Sequence, residues 1–209
     1  VYSGEAEYSG FVPPGYGPWP LSDQELRQKY EKFDLVLAKK LMADAGLARG
    51  FSVTMTTFAL QDYPLISAVV QSHLRRINID VDIVAQEAGT FAAANGAGRF
   101  DWDLTGRGMR GDVDGYVAEF HPAAPIFKIW YPEYRNLRAW RGIGNGRIQL
   151  DPAKRVPIYK DAQRALMLNP VQIPLVAIKK YQVVRKRVKN MYVAFSDFNT
   201  GLRNVWLDG

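Results

Sequence analysis

Between Phe51 and Val84 the apolar spacing passes from a period of two to a helical one and back to two. In Phe51–Thr57, Phe51, Val53 and Met55 alternate with Ser52, Thr54 and Thr56, as in a strand with one buried face. From Leu65 to Ile77, one helical face carries Ile66, Val69, Val70, His73, Leu74 and Ile77. Ile79–Val84 alternates again through Ile79, Val81 and Ile83. A strand, a helix and a strand joined by short links form a βαβ unit, which calls for parallel strands and a right-handed crossover. A helix near Phe91–Ala97 and a strand over Trp102–Gly106 extend the pattern. The expected fold class is α/β, with a mixed, mostly parallel sheet flanked by helices.

Upstream, Phe11–Pro20 is dense in proline and glycine and reads as irregular chain. Ser22 with Glu25 three residues on is a capping-box pattern opening a polar helix to about Lys32. Asp34 caps a second helix, in which Leu37, Leu41 and Ala45 share a face beside Ala38 and Met42, and Gly46 ends it. Downstream, Arg107 to about Tyr134 reads as a long aromatic-rich loop, a kind that is usually functional. Asp151–Pro152 opens a further helix that Pro157 is expected to kink or delay. Val171–Ile178 and Gln182–Val184 read as strands, and Gly142–Gly146 as a plain turn.

Composition removes several function classes. With no Cys in 209 residues, disulfides, thiol nucleophiles and Cys-ligated metals are excluded. No apolar run reaches the ~20 residues of a membrane helix, and the first ten residues do not form a signal peptide. The net charge of +6 invites an anionic partner, but the basic residues are dispersed. The one dense run, Lys179 to Lys189, is interleaved with Tyr181, Val183, Val184 and Val188 and reads as a solvated strand face, so nucleic acid is not an expected partner.

Five segments, in order, resemble family 5 of the bacterial solute-binding proteins, the oligopeptide, dipeptide and nickel-chelate binders of ABC importers. They are Phe33–Gly46, Val70–Ile83, Phe100–Gly106, Asp151–Leu175 and Arg187–Met191. The last four carry Gln71, Leu74 and Ile77; Asp101, Leu104 and Gly106; Arg155, Tyr159, Ala162, Gln163 and Leu166; and Val188, Lys189 and Met191. Asn78 and Asn190 stand where the family commonly has glycine. The resemblance implies a periplasmic-binding-protein-like (type II) lobe. Residues 1–209 are then the C-terminal lobe of a two-lobe protein, with about 1–21 an irregular entry segment and about 179–209 a return toward a missing N-terminal lobe. The implied function is non-catalytic capture of a peptide-like or other small polar solute in the periplasm. Expected partners are that solute, ABC permease subunits and the missing lobe, and no cofactor is expected.

Ligands of such proteins lie beyond the carboxyl ends of parallel strands. That points to Arg107, Arg110, Asp112, Asp114 and Tyr116 after one strand, and to Phe58, Gln61 and Asp62 after another. In peptide-binding members an Asp in the first of these loops holds the ammonium group. Counted from Gly106, Arg110 takes that place, unless the loop slips and Asp112 or Asp114 fills it. An arginine there prefers a carboxylate or phosphate. Equally, Arg107 and Arg110 are candidates to pair with Asp101, Asp112 or Asp114 as loop braces.

Other constellations are weaker. Asp112, Asp114, Glu119 and His121 match no calcium-loop spacing. His73 reads as a core histidine, while Trp130, Tyr131 and Trp140 read as packing more than as ligand-stacking residues. With two His and no Gly-x-Ser-x-Gly elbow, nucleophilic catalysis lacks machinery. The competing class is a hydrolase or transferase for an anionic small molecule, using Asp112 and Asp114 as acid and base.

Overall fold

The computed structural model describes residues 4–60, 62–108, 110–179, 181, 183–191 and 203–208. The chain divides into two compact units, residues 31–107 and residues 4–30 with 108–208.

The first unit is built on the βαβ pattern. Strand β2 (Phe51–Phe58) lies between β3 (Ile79–Gln86) and β4 (Trp102–Leu104), and both pairings are parallel. The register sets Phe51 opposite Ile79 and Met55 opposite both Ile83 and Trp102. Helix α3 (Tyr63–Arg75) connects β2 to β3, and α4 (Ala88–Gly96) connects β3 to β4. Met55, Ile79, Val81 and Leu104 are buried, packed by Ile66, Val70, Leu74 and Ile77 from α3 and its end. The strand expected to reach Gly106 stops at Leu104.

Helix α2 (Leu35–Asp44) begins at its Asp34 cap, whose carboxylate accepts the Leu37 amide at 2.9 Å. It ends in a Schellman motif: Leu47 N–H to the Met42 carbonyl (2.8 Å), Gly46 N–H to the Ala43 carbonyl (2.9 Å), and Gly46 at φ +75°. Its orientation differs from the expected one. Met42 packs onto the core, whereas Leu37 and Leu41 are 50% and 57% exposed. Periodicity identified the helix but not which part of its broad apolar arc faces inward. His73 is likewise exposed rather than in the core, its ring 6.0 Å edge-on from Phe33.

Asn78 has φ +66° and Asn190 φ +59°, so both stand where the backbone enters the left-handed region. Asparagine tolerates that region because its amide bonds locally; Nδ2 of Asn78 donates to the Ala48 carbonyl at 3.0 Å. These two departures from the family pattern therefore preserve its backbone geometry.

The second unit centres on a helical hairpin, α7 (Leu137–Ile148) and α8 (Pro152–Leu168). Gly142–Gly146 lies inside α7 and is not a turn. Helix α7 starts at Asn136, whose side chain accepts the Ala139 amide (3.0 Å) and donates to the Ala165 carbonyl (2.9 Å). Helix α8 starts at Pro152 without delay and contains Pro157, which forfeits one i→i−4 bond. Residues 108–134 do not form the loop their composition suggested. They contain α5 (Asp114–Val117), a 3-10 turn (Ala118–Phe120) and α6 (Phe127–Trp130), with Val117 and Phe120 fully buried. Trp130, Tyr131 and Trp140 pack on this core.

The proline-rich entry is irregular yet part of the core, since Phe11 and Val12 are buried and the Phe11 ring lies 5.0 Å from Phe120. Helix α1 (Asp23–Lys29) follows. Ser22 Oγ accepts the Glu25 amide, but the Glu25 carboxylate pairs with Arg164 (2.7 and 3.0 Å) instead of closing a capping box. Strand β1 (Ala6–Tyr8) pairs antiparallel with β5 (Val176–Ile178), and β6 (Val188–Lys189) with β7 (Trp206–Leu207). Only the end of 171–178 is strand, because Pro170 and Pro174 interrupt the rest. Val183 and Val184 lie outside any strand, Val183 being 97% exposed, and Gln182 lies outside the described residues. Among the described residues, the basic run forms no strand before Val188.

Candidate functional site

In the first unit the candidates gather at the carboxyl ends of β2 and β4. Phe58 closes β2, with its ring 4.1 Å from Phe91 and 5.4 Å from Tyr63. The Tyr63 hydroxyl covers Gly106, where a Cβ would approach it to 2.3 Å. The turn after β4 therefore runs close against α3 before the exposed Arg107. Asp103 sits beneath this edge and accepts from Asn95 Nδ2 at 2.9 Å. Burial pushes its carboxyl above the usual range, while the Arg107 charge and the Asn95 bond pull the other way. Asp62 occupies the cap position of α3, where its carbonyl accepts the Ile66 amide and its carboxylate makes no cap bond. Gln61 lies outside the described residues.

In the second unit, Arg110, Asp112, Asp114 and Tyr116 are brought together, and the two aspartates are engaged by helices. Arg155 of α8 reaches Asp112 with Nη1 (2.7 Å) and Nη2 (2.9 Å). Its Nε donates to the Gly146 carbonyl (2.9 Å), and its plane lies 5.6 Å from the Trp19 ring. Arg147 of α7 bonds Asp114 through Nε at 3.0 Å, and the Tyr159 hydroxyl donates to the same carboxylate at 3.0 Å. The Arg155 bond holds the Asp112 carboxyl below its ordinary range. Burial, then the Asp114 charge, pushes the Tyr159 phenol up, so it stays protonated as a donor. The braces of this loop therefore come from α7 and α8, and the aspartates do not pair with Arg110. Arg155 and Tyr159 were visible as an i,i+4 pair in the 151–175 motif, whereas nothing in the Pro/Gly-rich entry signalled Tyr16.

Arg110 is fixed through its backbone. Its N–H donates to the Tyr116 hydroxyl at 3.1 Å, and its carbonyl accepts from the Tyr16 hydroxyl at 2.8 Å. Tyr116 itself is buried, and its ring lies edge-on to Tyr16 at 5.1 Å. The Arg110 guanidinium is exposed and has no partner among the described residues. The residues of the metal reading are committed elsewhere: Glu119 accepts from Tyr131 and Gln172, and His121 Nδ1 accepts the Ala123 amide. Among the described residues, no three His, Asp or Glu side chains converge as a metal site would require.

Residues 1–124 match the family described as bacterial extracellular solute-binding proteins, family 5 Middle. The glutathione-binding protein GsiB of Pectobacterium atrosepticum is 25% identical over 203 residues, covering 89% of this chain and 38% of the relative. Di/tripeptide-binding protein 1 of Pseudomonas aeruginosa is 24% identical over 174 residues, covering 78% and 31%. Among solved structures, the periplasmic binding protein DppA of Helicobacter pylori, in complex with the peptide STSA, superimposes with a TM-score of 0.78 at 20% identity, over 100% of this chain and 40% of that one. AgaA of A. tumefaciens, in complex with agropinic acid, gives 0.72 at 22% identity, over 98% and 42%. The α/β fold with its parallel sheet is that of the periplasmic binding proteins, and the chain spans well under half of each of these relatives. By the match over its first 124 residues, the chain belongs to the bacterial extracellular solute-binding proteins of family 5.

Proposed function

We propose that this chain is the C-terminal lobe of the substrate-binding component of an ABC importer, and that it captures a peptide-like or other small polar solute without transforming it. The observation that carries the proposal is the family match combined with partial coverage, 89% of this chain against 38% of a glutathione-binding relative. An incomplete surface supports it. Ile173, Leu175, Val176, Ile178, Tyr181 and Val183 are all exposed along one short stretch of chain, a density of apolar side chains that suits a covering partner. A preceding lobe of the same polypeptide is the proposed cover. Residues near 1–21 and 179–209 then lead toward that lobe, and permease subunits and an extracytoplasmic, periplasmic location follow from the same reading.

Arg110 is the proposed principal ligand contact of the second unit, through an anionic group. Among the described residues its guanidinium has no partner, while its aspartate neighbours are occupied by Arg147 and Arg155. Tyr116 contributes through its bond to Arg110, and Asp112 and Asp114 shape the turn that presents it. Phe58, Gln61, Asp62 and Arg107 are proposed as the contact group of the first unit, at the carboxyl edge of its sheet. Asp112 is ill suited to serve as an acid catalyst, because Arg155 stabilises its ionised form.

The test is native mass spectrometry of the full-length gene product expressed with its own export signal. A non-covalent adduct released chemically unchanged on denaturation is expected. Steady turnover of the released compound by the protein would contradict the proposal.

A further inference from the structure

Both backbone polar groups of Arg110 are bound by tyrosine hydroxyls, although the residue belongs to no helix or strand. One hydroxyl comes from Tyr116, six residues on, and the other from Tyr16, 94 residues away in the chain. The edge contact of the two rings at 5.1 Å ties these supports together. A third support lies under the side chain. A Cβ at Gly115 would fall 2.9 Å from Cβ, 3.2 Å from Cγ and 3.6 Å from Cδ of Arg110, so the arginine stem runs directly over that glycine. The carboxylates that would otherwise neutralise the guanidinium, Asp112 and Asp114, are held by Arg155, Arg147 and Tyr159.

A loop brace needs the hydroxyls, but it does not need a supported stem ending in an exposed charge that has no partner among the described residues. An arginine fixed in this way loses less conformational freedom when it binds, and its planar fork matches a carboxylate in two parallel bonds. We infer that Tyr16, Gly115 and Tyr116 are positioning residues that aim Arg110 at a carboxylate of the captured solute. This rests on the proposed capture function and adds to it the group recognised and the residues that orient its receptor.

The experiment uses the full-length protein stripped of bound solute, titrated calorimetrically with di- and tripeptides whose only carboxylate is C-terminal, each as free acid and as amide. Wild type should prefer the acid by about ten- to a hundredfold, the worth of one charge-assisted bond. Arg110→Met should abolish the preference, and Arg110→Lys should retain part of it. Tyr16→Phe and Tyr116→Phe should each shrink the preference while keeping amide affinity, a pattern that loss of stability alone does not produce. Gly115→Ala, which displaces the stem, should do the same. Equal binding of acid and amide by wild type, or an unchanged preference in Arg110→Met, overturns the inference and leaves solute capture standing. An unchanged preference in all three supporting variants overturns the positioning roles. Failure of every peptide to bind wild type overturns this inference, while solute capture stands or falls on the adduct seen by native mass spectrometry.

Discussion

Gly146 of α7 lies directly beneath the ring of Tyr159 of α8, where a Cβ would stand 2.5 Å from Cε2 and 2.6 Å from Cζ. Four residues earlier, a Cβ on Gly142 would meet that of Ala162 at 2.9 Å. The glycines serve close helix packing, and the packed Tyr159 is the residue that also donates to Asp114.

Gly146→Ala should therefore lower stability despite its better helix propensity, by about 1–3 kcal/mol for an overpacked core. Urea unfolding of the full-length protein checks this, and a stabilised variant would show that the two helices are free to separate.

Asn78→Ala should cost about 1–2 kcal/mol, the penalty of a side chain other than glycine or asparagine in the left-handed region. Asn78→Gly should be nearly neutral, losing an exposed bond to Ala48 but no backbone fit. Comparing the two variants in thermal unfolding separates conformation from hydrogen bonding.

The Arg155–Asp112 pair carries a pH dependence of known sign. The Asp112 carboxyl titrates lower in the folded chain than in the unfolded one, so its stabilisation is present above the ordinary aspartate range and fades as pH falls through it. Arg155→Met should flatten the loss of stability between about pH 5 and 2. At neutral pH the cost from the ion pair itself should stay near 1 kcal/mol or less, because Asp112 is half exposed. Stability curves of wild type and variant across that range are the measurement.

Asp103 should behave in the opposite sense. Burial raises its folded pKa above the unfolded value, so the folded state holds the proton more tightly and stability falls as pH rises past the ordinary aspartate range. Asp103→Asn keeps an acceptor for Asn95 and removes the buried charge, so it should stabilise the protein at pH 7 and do little below about pH 4. A variant less stable at pH 7 and unchanged below about pH 4 would mean that the Arg107 charge outweighs desolvation.

Much of this was legible in the chain. The alternation in 51–57 and 79–84 set both parallel strands, and Asp34 and Gly46 bracketed α2, because those signals are local and steric. Helix α7 was missed, because three glycines between residues 142 and 146 resemble a turn until α8 supplies the partner that demands them. The inward side of α2 was misjudged for a related reason: an arc with Leu35, Leu37, Ala38, Leu41 and Met42 offers more apolar area than the sheet covers. At the candidate site, the charged residues were visible, but their pairing was not. Which arginine meets which aspartate depends on contacts more than thirty residues apart in sequence, and the Tyr16 support spans almost half the chain.

Small-angle scattering of the full-length protein, with and without the solute that denaturation releases from it, tests most directly whether this chain is one jaw of a clamp. Two jaws closing on a solute predict a smaller radius of gyration when that solute is added back. An unchanged radius at saturating solute, with the solute still bound, would contradict the clamp.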